Sequence, residues 1–174
     1  MAGSSDVYRK LTELAASQRL KEFPYYGNYV DLTRMELSAL HAVNVSAPRK
    51  IAFIGSGPLP LSSLCLCQAL EKAKPGSTPT PVLNIDNNPK AIIQSQALAK
   101  SLGSTSKGME FLCQEAGSSD LDLRQFDVVY LAALVGLTQE HKENILVEVV
   151  RRMRVGALMV IRTAHGLRSL LYPV

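Results

Sequence analysis

The chain has 174 residues, of which 47% are hydrophobic and 20% are charged, a composition typical of about one globular domain. The formal net charge of +4 does not indicate a nucleic-acid partner, because the basic cluster of Arg151, Arg152 and Arg154 lies at the end of a predicted helix, where cations complement the helix dipole. The longest apolar run, around residues 128–137, is too short to span a bilayer, so no membrane partner is expected.

Residues 1–48 are predicted to form a separate N-terminal helical segment. Apolar residues near helical spacing predict an amphipathic helix over Val7–Arg19. Pro24 ends this helix, and the aromatic patch Phe23–Tyr29 is typical of a turn. A second helix, about Val30–Val43, follows the turn.

Residues 49–174 alternate between strand and helix patterns and are predicted to form a second unit. Strands separated by helices indicate βαβ units and a parallel α/β sheet. Such sheets bind ligands at the carboxyl ends of their strands, near a topological switch point. The predicted strands are Lys50–Ile54, Val82–Ile85, Met109–Cys113, Asp127–Leu131 and Ala157–Ile161, and the predicted helices are Leu61–Lys74, Pro89–Leu102 and Gln139–Met153.

A loop rich in glycine and proline follows the first predicted strand. Glycines at its first and third positions allow a tight turn and a close approach of the backbone to a ligand. A dinucleotide fingerprint has its last glycine where this loop has a proline, and the missing N–H argues against a pyrophosphate site. An ordinary strand-to-helix turn also explains the loop, but its position after the first strand favours a nucleoside-type ligand. The loop residues are Gly55, Ser56, Gly57, Pro58, Leu59 and Pro60.

Polar side chains follow the second and third predicted strands. Asp86 ends the second strand and precedes Asn87 and Asn88. A carboxylate there can accept hydrogen bonds from ribose hydroxyls, whereas Asp and Asn also favour a helix N-cap. The two roles are compatible if Asn88 caps the next helix and Asp86 binds the ligand. After the third strand, Glu115 or Ala116 is predicted to face an adenine, although Glu115 alone is also typical of a solvated loop charge.

Arg162 continues the apolar run of the fifth predicted strand at its ligand-facing end. An unpaired buried charge is costly, so the side chain needs a partner. A substrate carboxylate suits the bidentate guanidinium group, and an internal Asp or Glu would serve equally well. His165 and Arg168 follow in the same loop.

The three cysteines, Cys65, Cys67 and Cys113, show no CxxC or Cys–His spacing, so no metal site is predicted. They are interpreted as small apolar side chains in a reducing compartment. The N-terminal string Met-Ala-Gly-Ser-Ser-Asp lacks the apolar core of a signal peptide. A cytoplasmic protein is therefore expected.

Four segments carry unusually specific strings. The most specific is Ile-Ala-Phe-Ile-Gly-Ser-Gly-Pro-Leu-Pro-Leu at residues 51–61. The others are Phe-Asp-Val-Val-Tyr-Leu-Ala-Ala-Leu-Val-Gly at 126–136, Arg-Thr-Ala-His-Gly-Leu-Arg-Ser-Leu-Leu-Tyr-Pro at 162–173, and Asn28-Tyr29-Val30 with Arg34-Met35-Glu36. From about Phe23 onward, the sequence resembles the nicotianamine synthase family, of fungal type.

This resemblance implies a Rossmann-like fold of the class I S-adenosylmethionine-dependent methyltransferase type, with S-adenosylmethionine as substrate and no metal. Family members join three S-adenosylmethionine molecules by aminopropyl transfer into the metal chelator nicotianamine and release methylthioadenosine. The attacking amine must first lose a proton, so a general base is needed. The family has a tyrosine near this amine at the position of Tyr29, and Glu36 is a nearby acidic candidate, although a solvated helix face explains Glu36 as well.

The resemblance also implies two sets of binding residues. The set expected to bind S-adenosylmethionine comprises Gly55, Ser56, Gly57, Pro58, Leu59, Pro60, Asp86, Asn87, Glu115, Ala116, Ala132, Ala133 and Leu134. The set expected to bind the growing product comprises Tyr25, Arg162, His165 and Arg168.

In the family, a helical N-terminal domain supplies a catalytic glutamate and a lid, whereas here about two helices precede the glycine-rich loop. Residues 1–48 are therefore interpreted as a remnant of that domain, and the chain alone is expected to bind S-adenosylmethionine but to make little nicotianamine. Two alternatives stay open: an S-adenosylmethionine-dependent methyltransferase, and a catalytically incomplete binding fragment. Methylthioadenosine, rather than S-adenosylhomocysteine, as the product separates the synthase from a methyltransferase.

Overall fold

A computed structural model describes residues 13, 15–132, 135 and 138–162 of the chain. Residues 15–21 are helical, and residues 103–106 form a 3₁₀ turn. The longer helices and the strands are α1 (Tyr26–Ala42), β1 (Ile51–Ile54), α2 (Leu61–Ala73), β2 (Val82–Asp86), α3 (Pro89–Leu102), β3 (Met109–Cys113), β4 (Val128–Leu131), α4 (Gln139–Arg152) and β5 (Leu158–Ile161).

The five strands form one parallel sheet in the order β3-β2-β1-β4-β5. In register, Ile51 of β1 lies between Val82 of β2 and Val128 of β4. The chain builds outward from β1 in one direction and then returns to add β4 and β5 on the other side. The carboxyl end of β1 is therefore the topological switch point, where such sheets bind ligands. The predicted parallel α/β sheet is confirmed.

The three central strands, β2, β1 and β4, are largely buried between two apolar layers. Successive side chains of each strand point to opposite layers. Helices α1 and α2 cover one face, and α4 covers the other. The first layer contains Leu40, Ile51, Phe53, Leu66, Val82, Val128 and Tyr130, and the second contains Ala52, Ile54, Ile85, Val129, Leu131, Ile145 and Val149. Full burial of each large apolar side chain contributes roughly 1.5–3 kcal/mol.

Helix α1 begins at Tyr26 rather than Val30, so the predicted turn over Phe23–Tyr29 is wrong beyond its first residues. The Tyr26 hydroxyl donates a hydrogen bond to Oε1 of Gln68 on α2 at 2.9 Å. The Tyr26 and Tyr29 rings also pack against a buried leucine cluster. This tertiary packing outweighs the weak helix propensity of the intervening glycine and asparagine. It also joins α1, which was assigned by sequence to the N-terminal segment, to the layer that covers the sheet.

The other described elements agree with their predicted bounds to within one residue. The predicted cap of α3 is confirmed, because the Asn88 side chain accepts a hydrogen bond from the Lys90 N–H at 3.0 Å. Pro89 occupies the first turn of α3, where a missing N–H costs no helical hydrogen bond. Of the helix predicted over Val7–Arg19, the described part is helical, and the remainder lies outside the described residues.

A buried carboxylate forms ion pairs at the amino-terminal ends of the strands, opposite the switch point. Asp127, whose side chain is 10% exposed, accepts hydrogen bonds from the Arg49 N–H at 2.5 Å and from the guanidinium groups of Arg49 and Arg154. Partial burial by itself raises the pKa of this carboxyl. The donors of Arg49 and Arg154 outweigh that effect and lower the pKa to about 2.

This pKa makes the stability of the fold depend on pH in the acid range. The ordinary pKa of 3.8 applies in the unfolded chain, so the folded state resists protonation. We expect Asp127 to contribute about 2 kcal/mol above about pH 5, and this contribution to be lost as the pH falls from about 4 to about 2. Urea unfolding of the wild type and Asp127→Asn at both ends of this range measures the loss.

The difference in unfolding free energy between these two proteins should shrink as the pH falls. The exposed Asp120, replaced by asparagine, is the control and should leave the acid loss of the wild type unchanged. A difference between the wild type and Asp127→Asn that is constant across the range would contradict the prediction.

Candidate functional site

The carboxyl ends of the three central strands, β2, β1 and β4, bring several predicted site residues to one edge of the sheet. The N–H groups of Gly55 and Ser56 both donate to the Ile85 carbonyl, at 2.8 and 3.2 Å. On the other side of β1, the Ala132 N–H donates to the Ile54 carbonyl at 2.9 Å. The edge therefore joins the glycine-rich loop, the end of β2 and the segment after β4 at the switch point.

Gly55 is required at the first position of the loop. Its φ of +80° lies in the left-handed region that favours glycine. A Cβ atom at this position would lie 3.1 Å from the Cβ of Ala132 and would clash with the Val135 side chain. Gly57, with φ +66°, has no atom within 4 Å of such a Cβ. The loop is thus packed against the protein at Gly55 and open to a ligand at Gly57.

Asp86 holds the loop through its carboxylate. Oδ2 accepts a hydrogen bond from the Gly57 N–H at 2.8 Å, and Oδ1 accepts one from the Asn88 N–H at 2.9 Å. Because an ionised carboxylate has about four acceptor positions, two remain for further donors such as hydroxyl groups. Asn87 is exposed beside it. Asp86 therefore orders the loop and keeps the capacity to bind a ribose.

The segment after β3 lies next to Asp86, because the Gln114 N–H donates to the Asp86 carbonyl at 3.0 Å. Glu115 is exposed, as a solvated loop charge would be. Ala116 is buried and packs in the apolar layer that contains α4. The two candidates for the adenine contact thus face different environments, and only Ala116 offers an apolar surface.

Arg162 directly follows β5 and pairs with Glu36 of α1. Nε and Nη2 of Arg162 donate to the two carboxylate oxygens of Glu36 at 2.8 and 2.9 Å, and Nη1 donates to the Ser62 hydroxyl. The two charged side chains are 11% and 10% exposed. The guanidinium carbon lies 5.1 Å from the ring centre of Phe53 and 5.9 Å from that of Tyr130. The charge is thus buried, paired and placed over two aromatic faces.

This geometry decides between two readings that the sequence left open. The partner of Arg162 is an internal glutamate, and the interpretation of Glu36 as a solvated side chain is wrong. The contact was missed in sequence because 126 residues separate its members. Strand periodicity was the available signal, since Leu158, Val160 and Arg162 alternate onto the face that α1 covers. For Arg162 to bind a substrate carboxylate, or for Glu36 to accept a proton, this pair must open.

Ser62, Phe53 and Tyr130, which surround the pair, were not among the predicted site residues. Phe53 and Tyr130 stack with ring centres 5.3 Å apart. Burial raises the pKa of the Tyr130 phenol far above its ordinary value, the charge of Glu36 adds to the rise, and Arg162 opposes it. Tyr130 is therefore a neutral surface for the guanidinium group rather than an acid–base group.

The predicted tyrosines lie at the start of α1. Tyr25 precedes the helix and packs edge-to-face with Phe23, with ring centres 5.8 Å apart. Tyr29 packs against the cluster that includes Leu61, the residue directly after the loop. Tyr29 and Glu36 are seven residues apart, which is about two helical turns and places them on one face of α1. Ala133, Leu134, His165 and Arg168 lie outside the described residues.

Within the described ranges, no group of three His, Cys, Asp or Glu side chains could hold a metal ion. Burial raises the pKa of Cys65 to about 11, against a lowering effect of Arg162, and raises that of Cys67 to about 12. Both thiols are therefore protonated near neutral pH and unsuited to nucleophilic chemistry. None of the described helices has the length and apolarity that a membrane crossing needs.

Comparison with known sequences identifies the relatives of this chain. A family model described as nicotianamine synthase protein matches residues 10–174. Nicotianamine synthase of Solanum lycopersicum is 38% identical over 157 residues, which cover 90% of this chain and 48% of that protein. Nicotianamine synthase 2 of Arabidopsis thaliana is 38% identical over 152 residues, covering 87% and 46%. The chain spans about half the length of these curated relatives.

Comparison with solved structures shows the same fold in more distant proteins. A mutant of MtNAS in complex with S-adenosylmethionine superposes with a TM-score of 0.63 at 23% identity, covering 95% of this chain and 59% of that one. The plantazolicin methyltransferase BpumL in complex with SAH has a TM-score of 0.56 at 16% identity, covering 99% and 67%.

Proposed function

This chain belongs to the nicotianamine synthase family, and from that premise we propose that it binds S-adenosylmethionine at the switch point of its sheet, as part of an enzyme that makes nicotianamine. The observation that carries the proposal is Asp86, whose carboxylate accepts a hydrogen bond from the Gly57 N–H, beside open space at Gly57, and has acceptor capacity left for a ligand. A mutant of the structurally similar MtNAS was solved in complex with S-adenosylmethionine, which supports the choice of ligand.

The proposed binding residues divide by the part of S-adenosylmethionine that they contact. Asp86 and Asn87 accept or donate hydrogen bonds at the ribose, and Ala116 with Glu115 lies at the adenine. The loop 55–60 and Ala132, Ala133 and Leu134 are proposed as further contacts of S-adenosylmethionine. We propose that Tyr25 lies at the product end of the site. Arg162, His165 and Arg168 would supply positive charge for the carboxylates of the product. Arg162 could do so only after its pair with Glu36 opens.

The chemistry proposed for the family reaction is aminopropyl transfer. An amine nitrogen of one substrate molecule attacks the aminopropyl-chain carbon that is bonded to the sulfonium sulfur of another. A C–N bond forms, the C–S bond breaks with its electron pair left on sulfur, and methylthioadenosine departs. The nitrogen loses a proton to a base, which is needed because an amine is mostly protonated at neutral pH.

Tyr29 is better suited to orient the amine than to remove a proton from it, because a phenol with an ordinary pKa near 10 is a poor base at pH 7. Glu36 is paired with Arg162, so it acts as a base only when that pair opens. We also propose a role in metal homeostasis, since nicotianamine is a metal chelator, and a location in the cytoplasm. The proposed domain division is residues 1–48 and residues 49–174.

The proposal predicts a specific pair of results with the purified chain. We expect calorimetry to show saturable binding of S-adenosylmethionine, because the loop and Asp86 are preformed. Mass spectrometry of the same mixture identifies any product, and we expect little nicotianamine from this chain alone, with methylthioadenosine as the co-product of any that forms. S-adenosylhomocysteine as the product would replace the proposal with a methyltransferase, and the absence of binding would overturn it altogether.

A further inference from the structure

The Glu36–Arg162 ion pair joins elements that lie far apart in sequence, and it does so beside the proposed ligand site. We propose that these two residues are positioning residues, which hold α1 and the start of α2 in one arrangement over the strand ends. The inference rests on the proposed function, because the closed pair holds the arrangement of the S-adenosylmethionine site. It concerns substrate binding, which precedes any opening of the pair toward the product.

Arg162 makes hydrogen bonds to four elements at once. Its N–H donates to the Leu131 carbonyl of β4 at 3.0 Å, and its carbonyl accepts a hydrogen bond from Nζ of Lys142 on α4 at 3.1 Å. Its guanidinium group reaches Glu36 on α1 and Ser62 on α2. Displacement of any one of these elements therefore breaks one of the hydrogen bonds of Arg162.

The guanidinium group is fixed in orientation as well as in position. Two parallel hydrogen bonds to one carboxylate define its plane, and the third nitrogen is bound by the Ser62 hydroxyl. The faces of Phe53 and Tyr130 restrict its remaining freedom. A lysine keeps the charge but not the planar fork, so it cannot reproduce this geometry.

Both partners of the guanidinium group belong to elements that also carry proposed ligand-site residues or adjoin them. Ser62 is the second residue of α2, which starts immediately after the loop 55–60. Glu36 lies on the same face of α1 as Tyr29. The pair therefore sets the distance between Tyr29 and the loop. A buried ion pair adds little net stability compared with a well-packed apolar pair, which favours orientation over stabilisation as its role.

The test removes the pair without leaving a lone buried charge. Glu36→Leu/Arg162→Met replaces both members with apolar side chains, a change that often leaves stability unchanged or raised. We expect the double variant to unfold near the wild-type temperature and to bind S-adenosylmethionine about tenfold or more weakly, since the competent arrangement becomes a minor population. The control is Asp31→Asn/Arg34→Gln, which removes an exposed pair from the same helix, 68% and 73% exposed, and should leave affinity unchanged.

Addition of Tyr29→Phe completes a double-mutant cycle. If the pair acts through Tyr29, the losses in affinity are non-additive, and Tyr29→Phe costs little once the pair is gone. Additive losses, or a folded double variant with wild-type affinity, overturn the inference. Arg162→Lys supplies the same comparison if the apolar double variant does not fold.

A readout without ligand separates this inference from the proposed function. The chain labelled with 3-fluorotyrosine gives a fluorine resonance for Tyr29, assigned by its loss in Tyr29→Phe. We expect that resonance to shift in the double variant and not in the control. A shift without any S-adenosylmethionine binding by the wild type would reject the proposed function and retain the positioning role, whereas an unchanged resonance would reject the positioning role.

Discussion

Replacement of Gly55 by alanine is expected to eliminate S-adenosylmethionine binding and to destabilise the fold by about 2–5 kcal/mol. Two costs add up: a left-handed backbone at φ +80°, and a methyl group forced against Ala132 and Val135. Because Gly55 donates to the carbonyl of Ile85, any relief of the clash displaces the loop from the end of β2. Urea unfolding and calorimetry measure the two effects.

Gly57→Ala is the matched control for the steric part of this prediction. Its φ of +66° is also left-handed, but no atom lies within 4 Å of the added methyl group. The expected loss of stability is therefore only about 1–2 kcal/mol, although the methyl group occupies the open side of the loop and weakens ligand binding. Equal destabilisation by the two substitutions would show that the contact with Val135 does not matter.

Replacement of Asp86 by alanine is expected to weaken S-adenosylmethionine binding about tenfold or more, because a hydrogen bond to a charged group is worth about 1.5–3 kcal/mol. The variant loses the proposed ribose acceptor and also the acceptor for the Gly57 N–H, so the loop is no longer held to β2. Asp86→Asn should be nearly as severe. Its amide places a donor opposite one of the two backbone donors, Gly57 or Asn88.

Asn88→Ala is the control for Asp86. It removes the cap of α3 and costs about 1 kcal/mol of stability, but it leaves its own N–H bonded to Asp86. Its affinity for S-adenosylmethionine should equal that of the wild type. Titration calorimetry on the three variants decides the matter, and unchanged affinity in Asp86→Ala would remove this residue from the site.

Most of the fold could be predicted from sequence because its signals are local. A strand repeats every two residues and a helix every 3.6, so the pattern from β1 to β5 reveals each element without knowledge of its neighbours. The glycine-rich loop and Asp86 followed from the same pattern, since both lie where a strand ends. The start of α1 was predicted wrongly because the contact that extends the helix, from Tyr26 to Gln68, lies on another helix.

The sequence by itself determined the parallel sheet and the residues that follow β1 and β2, because each depends on periodicity and on backbone preferences within a few residues. Only the tertiary structure decided the partner of Arg162 and the burial of Glu36. Every Asp or Glu carboxylate of the chain can pair with a guanidinium group, so residue type alone does not show which of them is the partner of Arg162. The choice is made by the packing of α1 against α2, which brings a side chain 126 residues away to within 2.8 Å of Arg162.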